Sequence, residues 1–157
     1  MKDPFRKIDK FGIQLLLAFT LGISIITFSN LAFSDDFLQM REYRNNLCYD
    51  GDTCYVTAPT LPEPLQKMSV RILGIDTPEI RAECDEEKKL ALEARELANK
   101  IFREAKEIEF ANLKWDKYGG RVLVDVYLDG KLYKDEIINA GLARPYDGGT
   151  KESWCNR

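Results

Sequence analysis

The 157-residue sequence contains no histidine and no Cys-x-x-Cys pair. Without histidine the side chain that most readily moves protons near neutral pH is missing, so any hydrolytic base has to be a carboxylate. The two absences together remove the common zinc-binding sets. Internal repeats and low-complexity tracts are lacking as well, which excludes a solenoid. Nor is there an excess of positive charge: the formal net charge is −3, and leaving out residues 1–34, with four bases and two acids, makes it −5. A diffuse basic surface that binds nucleic acid through counterion release is therefore excluded. A polyanion would have to be gripped by a few placed cations or by a bound metal.

With 45% hydrophobic and 31% charged residues, the chain has the size and balance of one globular domain plus a short extra segment. That segment is at the front. Lys2, Arg6, Lys7 and Lys10 precede an almost uncharged run over 11–33, and Asp35 and Asp36 follow at once. This is the pattern of an export signal. Polar residues such as Gln14, Thr20 and Ser24 weaken the run as a transmembrane helix, although its length suffices to span about 30 Å. Ala32 and Ser34 offer small residues for cleavage. Residues 1–34 are expected to be either a cleaved signal peptide or an uncleaved N-terminal anchor that contacts the membrane through 11–33. Either reading makes the protein exported, to a periplasmic or extracellular location, with a tether over 35–46 and a folded domain over 47–157.

Cys48, Cys54, Cys84 and Cys155 all follow the segment, and an even set in a small exported domain reads as disulfides. Three pairings are possible in principle. Cys48 and Cys54 flank an Asp-Gly turn and could face each other across two strands, which leaves Cys84 for Cys155. Four free thiols would be the expectation in the cytosol.

Along the chain, 47–57 reads as two short strands around that turn, and 58–66, with three prolines, as an irregular surface loop. The aliphatic, β-branched stretch 67–75 reads as a strand ended by Asp76-Thr77-Pro78, with a polar loop over 79–85. Over 86–105 the apolar residues Leu90, Ala94, Leu97, Ile101 and Ala105 recur with the helical period, with Asp85 as candidate N-cap. Strands are expected over 107–113, 121–128 and 131–133, the last two joined by Asp129-Gly130, and a short helix over 135–140 stopped by Gly141. The sum is a mainly β, α+β domain. It reads as a five-stranded, partly open Greek-key barrel of the OB-fold type with one long and one short helix.

Three segments gather chemistry at the ends of predicted strands. They are Asp50-Gly51-Asp52-Thr53, the run 71–79 from Arg71 through Asp76-Thr77-Pro78 to Glu79, and 116–121 from Asp116 through Tyr118 to Arg121. Asp50 and Asp52 do not belong to an EF-hand, because Cys54 and Leu61 stand at its fifth and twelfth positions. Two acids from separate strand ends are a start for a hard cation, which takes oxygen ligands. A guanidinium offers phosphate a planar fork that lysine lacks. Taken singly, Asp52 could merely form its turn, Asp76 cap the one before Pro78, and the arginines balance local acids.

In identity, order and spacing these segments, together with Ala140-Gly141-Leu142-Ala143-Arg144, resemble the staphylococcal nuclease family over about 47–144. The resemblance implies a calcium-dependent endonuclease that hydrolyses phosphodiesters of DNA, RNA or both. It implies Ca²⁺ on Asp52, Asp76 and the Thr77 carbonyl, with Asp50 behind them. Arg71 and Arg121 would clamp the phosphate, Glu79 would be the general base, and Tyr118 would contact substrate. A monomer is expected. The sequence departs from the prototype in an additional glycine before Arg121 and in the short segment after Arg144, where Tyr146 could stand in for a base-stacking tyrosine. The alternative from another class is a catalytically inactive barrel that binds nucleic acid or protein.

Overall fold

A computed structural model describes residues 37–117 and 121–155. The segment 1–34, Asp35, Asp36 and Tyr118 lie outside the described residues. The strands are β1 (Gln39–Met40), β2 (Thr53–Thr57), β3 (Lys67–Ile72), β4 (Ile75–Asp76), β5 (Ile108–Trp115), β6 (Arg121–Leu128), β7 (Lys131–Leu132) and β8 (Arg144–Pro145). The helices are α1 (Glu63–Gln66), α2 (Asp85–Glu104) and α3 (Tyr133–Asn139).

Alternation makes the sheet. Cys54 and Val56 of β2, Val70 and Ile72 of β3, and Val122, Val124, Val126 and Leu128 of β6 are buried while their neighbours are not. Each such aliphatic side chain contributes about 1.5–3 kcal/mol on burial. The strands run in the order β1-β2-β3-β6-β5, with β7 also on β6, as a curled half-barrel. All neighbours are antiparallel except β3 and β6, which are parallel. Helix α2 turns Ala91, Ala94, Ala98 and Phe102 inward, and α3 adds Tyr133 and Ile137. The Phe102 and Tyr133 rings meet with centroids 4.9 Å apart.

Several elements differ from expectation. Residues read as a tether enter the sheet, because Gln39 and Met40 pair with Thr57 and Val56 and Leu38 is buried. The first arm of the hairpin shrinks to a single bridge between Cys48 and Cys54. The proline-rich stretch holds one helical turn: Pro62 and Pro64 occupy the cap and first turn, where a missing N–H costs nothing. Gly74, at φ 79°, breaks the single strand expected over 67–75 into β3 and β4. β4 pairs with β8 in a separate two-stranded sheet rather than joining the expected five-stranded, partly open barrel. β5 reaches Trp115 by way of a bulge at which Asn112 adopts φ 54°. Tyr133, expected in the returning strand, instead opens α3 and is fully buried.

Both expected disulfides are present, Cys48 to Cys54 and Cys84 to Cys155. The N-cap of α2 is Cys84 rather than Asp85: its Sγ accepts from the Glu87 N–H at 3.4 Å. The bridge therefore ties the start of the long helix to Cys155.

Candidate active site

The Asp50-Gly51-Asp52 turn leads into β2 and is buried, which is unusual for three such residues. Asp50 Oδ1 accepts from the backbone N–H groups of Asp52 and Thr53 at 3.1 and 2.8 Å, so its carboxyl builds the turn. Gly51 is packed so closely that a Cβ there would meet Ile137 Cδ1 and Thr77 Cγ2, both at 2.8 Å. Its carbonyl accepts from Tyr133 Oη at 2.7 Å. Helix α3 thus presses the turn against the residues after β4.

This packing brings Asp52 to the end of β4. Its Oδ2 accepts from the Thr77 N–H at 3.1 Å, and its Oδ1 accepts from Arg71 Nη1 at 2.6 Å and from Thr53 Oγ1 at 3.1 Å. Arg71 Nη2 is 3.8 Å from Asp76 Oδ1. Lys151 Nζ stands 2.7 Å from both Asp76 Oδ1 and Glu79 Oε1. Only its contact with Glu79 is an aligned hydrogen bond, so the buried Asp76 Oδ1 accepts none. Asp76 Oδ2 accepts from the indole N–H of Trp154 at 3.0 Å. Asp52, Arg71, Asp76, Thr77 and Glu79 are therefore brought together by direct contacts or through Lys151.

Charge in this cluster is incompletely compensated. Burial, then the neighbouring Asp52 charge, pushes the Asp50 carboxyl up to about 8. Burial also raises Asp52, and the Arg71 guanidinium opposes that rise without cancelling it. For Lys151 burial would favour the neutral amine, yet Asp76 and Glu79 outweigh it and hold the ammonium above its ordinary value.

Arg121 opens β6, and the parallel register sets it beside Ser69, two residues before Arg71. Arg121, Ser69 and Arg71 share the face of the sheet opposite the core, because Val70 and Val122 point inward. Its Nε and Nη2 donate to Asp116 Oδ2 at 3.1 and 2.8 Å, and no described contact joins it to the carboxylate cluster. The guanidinium is about one-third exposed. Beside Asp76 opens a cleft of about 660 Å³, lined among others by Gly74, Arg144, Tyr146 and Thr150. Tyr146 Oη donates to the Gly149 carbonyl at 2.7 Å.

A family model described as staphylococcal nuclease homologue matches residues 69–154. The chain belongs to the staphylococcal nuclease homologue family. The match begins in β3 and runs to Trp154, so it takes in Arg71, Asp76, Thr77, Glu79 and Arg121, whereas Asp50 and Asp52 precede it. Family membership supports nuclease chemistry on a nucleic acid substrate in general. The sequence reading missed Lys151, Trp154 and Tyr133 as neighbours of the nuclease-like cluster, and gave Thr53 no role of its own within the Asp50–Thr53 segment. A signal for the first two was present: if Cys84 pairs with Cys155, residues just before Cys155 come close to Glu79.

Two buried oxygens, Asp76 Oδ1 and Thr77 Oγ1, accept no hydrogen bond, and the acids around them outnumber their cations. An all-oxygen donor set with excess negative charge fits a hard divalent ion.

Proposed function

We propose that the chain is an exported, calcium-dependent endonuclease that hydrolyses phosphodiester bonds of DNA, RNA or both and acts as a monomer. The observation that carries this reading is the buried Asp76 Oδ1, which accepts no aligned hydrogen bond, lies 3.8 Å from the Arg71 that pairs with Asp52, and shares the Lys151 ammonium with Glu79. Asp52 and Asp76 would hold Ca²⁺, with the adjoining Thr77 carbonyl as a third ligand. The ion, when bound, supplies Lewis-acid neutralisation of phosphate oxygens.

The remaining work falls to the chain itself. Arg71 presents its fork at the edge of the cluster, held in place by Asp52, and stabilises negative charge as phosphorus becomes five-coordinate. Arg121, on the same outer face, supplies the second fork once it exchanges Asp116 for phosphate. Glu79, on the loop after Pro78, takes the proton of the attacking water, a role open to a carboxylate because no histidine exists. Asp50 shapes the turn that presents Asp52. Tyr118 would contact the substrate from the loop before Arg121. The apolar run 11–33 supports export and, if retained, a membrane anchor.

The test is digestion of plasmid DNA and of a structured RNA with added Ca²⁺ or EGTA, using the wild type, Arg71→Ala and Arg121→Ala. Cleavage that needs Ca²⁺ and drops at least about 100-fold in each variant supports the assignment. Cleavage that survives both chelation and the loss of Arg121 would end it.

A further inference from the structure

The segment between Thr150 and Cys155 runs past Asp76 and Glu79, touching them through Lys151 and Trp154, and is fixed at separate points. Cys155 is bonded to Cys84 at the head of α2. The Trp154 indole is buried and donates to Asp76 Oδ2, while the Arg144 guanidinium lies 3.9 Å above its ring. Arg144 Nη1 also donates to the Ser153 carbonyl at 3.0 Å. Glu87, in the first turn of α2, accepts from the Glu79 N–H at 3.1 Å and has its other oxygen 3.7 Å from Cys155 Sγ. The strap and the Glu79 loop thus rest on one helix turn.

We infer that this strap tunes the ion site: Trp154 is a positioning residue that aims Asp76, and Lys151 is a resident cation that an incoming divalent ion must displace. The inference rests on the calcium reading above and deepens it.

The argument for Trp154 is geometric. Its N–H occupies Oδ2 alone and so orients the carboxylate with Oδ1 toward Arg71 and Lys151. A carboxylate held by one outer donor loses less freedom when it ligates, and removing such donors commonly weakens a metal site 10- to 100-fold. For Lys151 the argument is electrostatic. Asp76 and Glu79 repel each other unless a cation lies between them, and the ammonium stands 2.7 Å from an oxygen of each. A divalent ion on Asp76 meets that positive charge at close range, so ion binding and the Lys151 contact oppose each other. Two events that exclude each other lower each other's affinity by the same factor. The flexible lysine stem, about two-fifths exposed, has room to withdraw toward solvent.

Calorimetric Ca²⁺ titration of the full chain, with disulfides intact, tests both halves with shifts of opposite sign. Trp154→Phe, which keeps the ring and removes the donor, is expected to weaken Ca²⁺ binding about tenfold. Lys151→Met, which keeps the stem and removes the charge, is expected to tighten it about fivefold. Lys151→Arg keeps a competing cation and should stay within about twofold of the wild type. Near-UV circular dichroism checks that each variant is folded, and a variant that fails is replaced by Trp154→Leu or Lys151→Gln. Unchanged or weaker binding in Lys151→Met, or unchanged binding in Trp154→Phe, overturns the corresponding half while leaving the calcium reading intact. A wild type that binds no Ca²⁺ overturns the calcium reading and this inference with it.

Discussion

Tyr133 Oη donates a 2.7 Å hydrogen bond to the carbonyl oxygen of Gly51, 82 residues earlier in the chain. Both groups are buried, and Gly51 lies between Asp50 and Asp52. Tyr133→Phe leaves that carbonyl without a partner and should destabilise the domain by about 2 kcal/mol. Urea unfolding measures it, and a loss below about 0.5 kcal/mol would mean that the bond does not hold the turn.

Metal-free protein should lose stability as the pH rises from about 4 to about 8. Asp50 titrates near 8 in the folded chain, against about 3.9 in an unfolded one. Between those values the folded state binds the extra proton, so raising the pH favours unfolding. The limiting slope is about 1.4 kcal/mol per pH unit for one such group. Asp50→Asn should flatten the profile, and saturating Ca²⁺ should restore stability at pH 8 in the wild type. Thermal melts across that window would show a rising profile if the idea is wrong.

The two arginines should separate in a stability assay even where activity falls in both variants. Arg71 is the close partner of the buried Asp52, so Arg71→Ala strands a carboxylate and should cost about 3 kcal/mol in the metal-free protein. Arg121 is one-third exposed, and Arg121→Ala should cost no more than about 1 kcal/mol. Equal losses by urea titration would contradict the difference in burial.

The disulfides should also differ in value. Chain-entropy arguments give about 4 kcal/mol for the Cys84 to Cys155 bridge, which closes 71 positions, and about 2 kcal/mol for Cys48 to Cys54, which closes six. The double serine variants, compared by chemical unfolding, would reverse this order only if native-state effects outweigh loop closure.

Much of this architecture could be read from the chain because single residues act alone there. Alternation in 121–128 and helical period in 86–105 depend only on which side chains are apolar. The cysteines flanking the Asp-Gly turn gave their own pairing. The two-residue edge β1 carries no periodic signal and forms only because β2 offers it partners. Gly74 could have been a close contact as readily as a break. Within the site, Asp52, Arg71, Asp76 and Glu79 were legible as types suited to ions and phosphate. Lys151 and Trp154 carry a signal only by way of the Cys84 to Cys155 pairing, since each acts through a contact across more than 70 positions. Asp116 is the opposite case: in sequence it reads only as part of a motif, whereas in the fold it is the counter-charge on Arg121.

The register of β6 insulates the guanidinium pair from changes in loop length. β6 is clasped by β3 on one side and β5 on the other, and a slip of one residue would turn Val122 and Val124 out of the core. An insertion between Trp115 and Arg121 is therefore absorbed by the connection and leaves Arg121 in step with Arg71. The spacing of Arg71 and Arg121 is thus a property of the sheet itself, written into the pairing of β3 with β6.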